Sequence, residues 1–431
     1  MKPLVNAVKT SLKALAIGSL MVASSAADKI AIVGGTIHSM GPAGVIDDAT
    51  LLINDGKIEA IIEGNSAPSG YTKIDASGKI VTPGFIAAYS SLGLVEVGMS
   101  AGIVDARVEP SDVSTVGAAL DTQYAINPDS TLLPITRIEG FTSAATGLGG
   151  TEQLFQGQGS IISLDKDLDL LQKPAAFVRL DASGSGANDV GESRAAFWIT
   201  LNQVIDEVIF AKNYQLDPSK AWHGMASRAD INALKPVIDG NTPLLVTADR
   251  ASDILQVVEL KKRHPQMNIV LVRATDAWRV AKQLADANIP VILDPEYNLP
   301  GSFEQLGASL ENAARLHEAG VMVAIGMDTH NARLATQHAG NAVANGLPHA
   351  AGLAALSINV AKIYGVDGQL GSLEPGKQAD VVIWSGDPLQ VTEAPIQVFV
   401  KGEALPMESR QTKLRDRYMA LQADKPFGYI R

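Results

Sequence analysis

Between residues 80 and 364 the chain alternates short apolar stretches with longer ones of helical periodicity. Strand-like stretches fall at Ile80–Tyr89, Ile135–Ser143, Ser160–Leu164, Ala175–Asp181, Pro243–Asp249, Asn268–Ala274, Pro290–Pro295 and Met322–Asp328. Helical periodicity marks Ser193–Asn213, Asp230–Ile238, Ser252–Arg263, Asp276–Asn288, Phe303–Gly320, Leu334–Asn345 and Pro348–Tyr364. Eight strands with helices between them predict an α/β fold, a closed (β/α)8 barrel. On pattern alone an open parallel sheet is the alternative.

The flanks of this region read differently. From Lys29 to Ile80 short strands alternate with turns, including a Gly34-Gly35 break and a hairpin turn at Asn54-Asp55-Gly56. Similar strands return near the C-terminus, after Gly371-Ser372-Leu373-Glu374-Pro375-Gly376-Lys377-Gln378-Ala379-Asp380-Val381-Val382-Ile383-Trp384. Pro375-Gly376 makes a turn, and the alternation after it lays one face on a core.

That segment, together with Val81-Thr82-Pro83-Gly84-Phe85-Ile86-Ala87-Ala88-Tyr89-Ser90-Ser91-Leu92-Gly93, resembles the amidohydrolase superfamily, in its imidazolonepropionase-like and dihydroorotase-like branches. The resemblance covers nearly all of the chain after its first residues. It implies a TIM barrel over residues 83–365 and a small β-sandwich built from residues 28–82 and 366–405; the tail, 406–431, is expected to be helical and, from the helical spacing of Arg, Lys and Leu, Tyr and Met over Ser409–Ala423, to pack on the barrel's outside. It also implies a metal-dependent hydrolase with ligands at the ends of strands 1, 4, 5, 6 and 8, and the family often forms dimers, so a homodimer is one expectation.

Here the sequence departs from the family. Strand 1 ends in Tyr89 and Ser91 where the family carries His-x-His; a phenol and a hydroxyl are poor zinc ligands. They either hydrogen-bond a substrate and position a water, or fill a decayed site. Strand 4 ends Arg179-Leu180-Asp181, and period-2 geometry puts Arg179 and Asp181 on one face, as an ion pair replacing a ligand or as a structural pair. Strand 5 continues Thr247-Ala248-Asp249-Arg250-Ala251-Ser252-Asp253, with Thr247 and Asp249 where relatives hold His. Arg273 lies near the place of the strand-6 His. It either pairs with Asp249 or Asp328 or binds an anion, since a buried guanidinium without a carboxylate is costly. Strand 8 keeps the family's Asp, Asp328, as general base, followed by His330.

These residues allow at most one divalent metal, zinc or manganese, on Asp249, Asp328 and His330. The resemblance then implies hydrolysis of a non-peptide C–N bond in a cyclic amide or N-acyl compound, with Asp328 and His330 catalytic and Tyr89, Ser91, Arg179, Asp181, Arg250 and Arg273 around the substrate. The alternative is a metal-free relative that binds a small anionic ligand or a partner without catalysis. Catalysis by Asp328 with His330 or Tyr89, without metal, is a third reading. The Gly-rich segment Thr146–Gly150 lacks a following Gly-Lys-Ser/Thr and is expected to form a loop over the barrel mouth rather than a nucleotide site.

Charge and composition bound the partners. The formal net charge is −11 and Lys and Arg are not clustered, which argues against nucleic acid and anionic membrane surfaces. Residues 1–27 read as a signal peptide: Lys2, Lys9 and Lys13, then an apolar run, then Ser24-Ser25-Ala26-Ala27. Cleavage near Ala26 or Ala27 predicts a periplasmic protein. There is no Cys, hence no disulfide, thiolate nucleophile or lipid-anchor Cys.

Overall fold

The computed structural model describes residues 29–96, 105–110, 113–214, 219–296, 300–326 and 329–419. Their strands form two eight-stranded sheets. One is the barrel, with strands in chain order Phe85–Ser90, Phe141–Thr146, Phe155–Ser163, Leu171–Asp181, Leu244–Ala248, Ile269–Arg273, Val291–Leu293 and Val323–Ile325. The eighth strand approaches the first without a described ladder: a Cβ added at Gly326 would lie 3.0 Å from the Ala88 Cβ.

Seven strands run one way and the third runs against them. The connections explain this. Residues 147–154 join strands two and three, and 164–170 join three and four; neither is long enough for a parallel crossover of a dozen or more residues. The beginning of strand three therefore sits at the same end of the barrel as the ends of the others.

Several elements differ from the sequence expectation. Ile80–Tyr89 is two strands: Ile80–Pro83 belongs to the terminal sheet and Phe85–Ser90 to the barrel, divided at Gly84. The stretch expected as a strand from Ile135 begins instead as the helix Leu132–Arg137, and the strand follows at Phe141–Thr146. Phe303–Gly320 holds a short 3-10 turn, Phe303–Gln305, and a helix, Asn312–Glu318. Pro348–Tyr364 splits into His349–Ala355 and Ile358–Ile363. The tail helix Arg410–Met419 forms but buries none of its residues, so over this described stretch it does not pack on the barrel as expected; half of its residues are charged and give a docking face little apolar area.

Alternation along the strands separates two cores. Leu180, Val246, Ala248 and Leu271 face the surrounding helices. Ala88, Ala145, Phe177, Leu245, Val270, Val272, Ile292 and Ala324 fill the barrel, and Val360, Ile363, Tyr364 and Leu370 close its floor. The Tyr364 phenol donates to the Ala88 carbonyl, and its ring lies 5.2 Å from that of Phe177. Full burial pushes the Tyr364 hydroxyl well above its ordinary range. The barrel has room for Phe177 because residue 159 is glycine: a Cβ there would lie 1.9 Å from the ring.

The terminal sheet joins both ends of the chain through the antiparallel pairing of Ile80–Pro83 with Val381–Trp384. The predicted hairpin is present, with Asp55 at φ 51 and Gly56 at φ 71 between Val45–Asn54 and Lys57–Glu63. Trp384 holds the terminal sheet together and meets the barrel: its indole donates to Thr82 Oγ1 within the sheet at 2.9 Å, and its ring lies 5.3 Å from that of Phe85 on the first barrel strand. No helix among the described residues is long and apolar enough to cross a membrane.

Candidate active site

A cavity of about 570 Å³ opens at the barrel's C-terminal end, where side chains from several strands converge. Strand four contributes Arg179 and Asp181, on one face as its period requires; Phe177, two residues before Arg179, lies deeper in the barrel. Strand five contributes Thr247. The reversed third strand contributes Gln156 through its first turn.

Arg273 reaches the cavity by a break in the strand pattern. Leu271 faces outward, so continued alternation would turn Arg273 outward too. Instead Arg273 and Ala274 take left-handed φ values of 68 and 50, and Ala274 N donates to Val272 O at 3.0 Å. Such conformations are strained for residues with a Cβ, and they bring the guanidinium to the mouth. There Nη2 lies 2.7 Å from Asp249 Oδ2. The other oxygen of Asp249 accepts from Thr275 Oγ1 at 2.8 Å, and its side chain is almost fully buried.

Tyr89 also departs from alternation, at the register shift between Ala87 and Ser90. Its ring stacks on the Arg179 guanidinium, 4.3 Å from ring centre to Cζ. Ser91 is half-buried in the following turn and does not line the cavity. Arg250 is elsewhere: it caps the helix Ala251–Arg263 and pairs with Asp253 at 2.9 Å. Arg194 holds the same carboxylate and also Glu304, whose other oxygen accepts from Gly184 N at 3.0 Å. His330 is half-buried in the turn after strand eight and is not in the cavity lining. Asp328 lies outside the described residues.

The segment after strand two covers the mouth, as its glycines suggested. Gly149 N donates to Ala106 O at 2.7 Å and Val108 N to Gly150 O at 3.3 Å, so residues 106–108 and 149–150 run side by side over the opening. This cover brings in groups that the sequence reading passed over: Arg107, Glu109 and Glu152, joined by Asp189 at the end of the short helix Gly184–Asp189 after strand four. Burial, then the negative charges of Asp181 and Glu152, push the Asp189 carboxyl above its ordinary range. No motif marks these residues; they meet only because two loops are paired. A second overlooked contact joins His338 Nδ1 to Asp294 Oδ1 at 2.6 Å, and beside it Asn341 donates to Glu296. These bonds fasten the loop after strand seven to the helix Ala335–Ala344.

Among the described residues, the donors at the mouth are not grouped as a metal site requires. Both oxygens of Asp249 are engaged, Tyr89 is stacked on a cation, and three guanidinium groups, from Arg107, Arg179 and Arg273, line the space. Among the described residues no group of three or more His, Cys, Asp or Glu is arranged to hold a metal.

Comparison with known proteins follows the same lines. A model of the amidohydrolase family matches residues 260–405. Over 302 residues the chain is 24% identical to an imidazolonepropionase of Mycolicibacterium smegmatis, covering 61% of this chain and 72% of that protein. A 59-residue stretch is 42% identical to the amidohydrolase tasK of Hapsidospora irregularis; it is 14% of this chain and spans only 6% of that protein's length. The crystal structure of an amidohydrolase from Thermotoga maritima MSB8 shares the fold with a TM-score of 0.77 at 24% identity, covering 88% of this chain and 99% of that one.

Proposed function

We propose, from its likeness to amidohydrolases in sequence and fold, that this chain is a member of that superfamily, that its barrel mouth takes a small carboxylate-bearing molecule and that it hydrolyses a non-peptide C–N bond, of the cyclic-amide or N-acyl kind. The observation that carries the binding step is the pair of guanidinium groups, Arg179 and Arg273, lining a closed-floored cavity where family members have their metal. Arg273 spends one nitrogen on Asp249, yet its side chain is still 32% exposed at the mouth. A planar guanidinium presents several donors in a fork that matches a carboxylate. Tyr89 buttresses Arg179 from behind and limits its rotation.

Family members usually bind a divalent metal, which polarises the scissile carbonyl and activates water. The residues described here do not fit that ion, so substrate binding rests on the protein's own cations. An immobile positive charge stabilises a developing oxyanion but does not generate hydroxide. The family supports hydrolysis. A second reading, binding without turnover, is favoured by one observation: both oxygens of Asp249 are already engaged, by Arg273 and Thr275. Export to the periplasm is part of the proposal, supported by the order of lysines, apolar run and small residues in 1–27, which lie outside the described residues.

The test is thermal denaturation with a panel of small carboxylates, paired with turnover assays on cyclic amides and N-acyl amino acids. A ligand that raises the midpoint by mass action is expected to do nothing for Arg273→Ala. An unchanged shift in that variant would remove Arg273 from ligand binding. Turnover separates the hydrolase from the binder.

A further inference from the structure

The end of the barrel opposite the mouth carries a second cavity, of about 310 Å³. It lies where the chain enters strands six, seven and eight: Asn268, Pro290 and Met322 immediately precede these strands, and all three line it. The floor helix Ile358–Ile363 adds Lys362 and Ile363. At this end of a barrel residues serve stability rather than chemistry, and dense packing is the expectation. Here the packing leaves a gap. Its walls are apolar, from Leu284, Ile289, Val321, Met322 and Ile363, and Met322 is 38% exposed beside it. A concave apolar space with a few polar groups is the usual character of a small-molecule site, and this volume falls at the lower end of the range for such sites.

The polar groups carry one sign of charge. The lining holds three polar side chains, Asn268, Asn288 and Lys362, and no Asp or Glu. Among the described residues none of the three side chains forms a hydrogen bond or an ion pair. Lys362 acts on the Glu374 carboxylate through space, but that carboxylate is already bonded to Lys377, at 2.7 Å, and does not line the cavity. Asn288 takes a left-handed φ of 51, so its residue type also serves the turn into strand seven. Neither Asn268 nor Lys362 has a positive φ.

We infer that this lower cavity is a second binding site, for a small molecule with an apolar body and a single carboxylate. The body fills the space between Leu284, Ile289, Val321 and Ile363, and the carboxylate meets the Lys362 ammonium and the Asn268 and Asn288 amides. An amine meets a like charge with no carboxylate in the lining to receive it, and a neutral body leaves the charge-assisted bond unmade. The packed barrel interior, with Phe177, Val270, Ile292 and Tyr364, separates this cavity from the mouth, so the two sites fill independently.

Isothermal titration of the full chain with hexanoate, butanoate, hexanol and hexylamine tests this. Hexanoate is expected to bind about tenfold more tightly than butanoate, which buries two methylenes fewer, and about tenfold or more tightly than hexanol or hexylamine. Because the mouth is also proposed to take carboxylates, the titration is repeated on three variants. Lys362 is exposed, so Lys362→Met tests the charge without disturbing a packed residue. It is expected to weaken hexanoate about tenfold and to leave hexanol within about twofold. Ala285→Leu puts a larger side chain into the lining and is expected to weaken both. Arg273→Ala is expected to leave hexanoate binding at the lower cavity unchanged. Circular dichroism and the thermal midpoint check that each variant is folded. Hexanoate binding lost in Arg273→Ala and kept in Lys362→Met would put the molecule at the mouth and overturn the second site. Equal binding of hexanoate and hexanol by the wild type would overturn the choice of a carboxylate. No binding of hexanoate would overturn the site outright.

Discussion

Asp249 is the residue on which the mouth depends. Its buried carboxylate is held by Arg273 and Thr275, and removing one partner leaves a charge without compensation. Arg273→Met is expected to cost about 3 kcal/mol in urea denaturation, and Arg273→Met with Asp249→Asn to recover part of it. Strict additivity of the two single changes would mean that the ion pair contributes nothing. Part of this site was legible from residue types. The rule that a buried Arg needs a carboxylate pointed to Asp249 as one partner for Arg273, and strand period put Arg179 beside Asp181. What could not be read was the backbone turn at Arg273-Ala274, since left-handed φ values at Arg and Ala have no signature in composition. Arg250 illustrates the converse: its place in a family-like run suggested the substrate, but as the residue that starts a helix it turns to Asp253.

Among the elements, connection length mattered more than periodicity. Helix and strand alternation made the barrel legible, and strands five to seven fall within a residue or two of expectation, while strands three and four begin several residues earlier. The reversed third strand was not foreseen, because its orientation depends on the short links 147–154 and 164–170 rather than on its own residues. The fit of this strand is tight. Gly159→Ala puts a methyl into the Phe177 ring and is expected to cost about 1–3 kcal/mol, with Phe177→Leu relieving part of the loss. No change in the thermal midpoint of Gly159→Ala would show that the ring moves aside freely. A second element-level device is the fully buried Asp230, in the first turn of Arg228–Ile238. It accepts from Ser114 Oγ at 2.6 Å and Ala119 N at 2.8 Å while completing the helix's capping box with Ser227. Asp230→Ala is expected to cost about 2–4 kcal/mol and to speed amide exchange in residues 113–120. Unaltered exchange there would contradict the anchoring role.

At the scale of the molecule, the two sheets are sewn together at Asp380, in the C-terminal segment that carried the family resemblance. Its carbonyl accepts from Gly84 N at 2.9 Å and its Oδ1 from Lys401 N at 2.9 Å. Burial pushes this carboxyl above its ordinary range, and the hydrogen bonds only partly oppose the shift. The folded state then holds the proton to higher pH than the unfolded state. Stability from this group is full below about pH 4 and is lost as pH rises through the folded-state pKa. Asp380→Asn is thus expected to gain relative to wild type as pH rises from 4 to 8; a difference independent of pH would contradict a raised pKa. The same balance of charge against burial decides the barrel mouth, which arginines line. The most direct check is metal content per chain, by elemental analysis of the protein as purified and after incubation with zinc or manganese and dialysis. Well under one ion per chain in every sample is the expected result. One tightly held ion per chain that is lost in Asp249→Asn would contradict the metal-independent mouth, because it would require Asp249 to leave Arg273 for the ion.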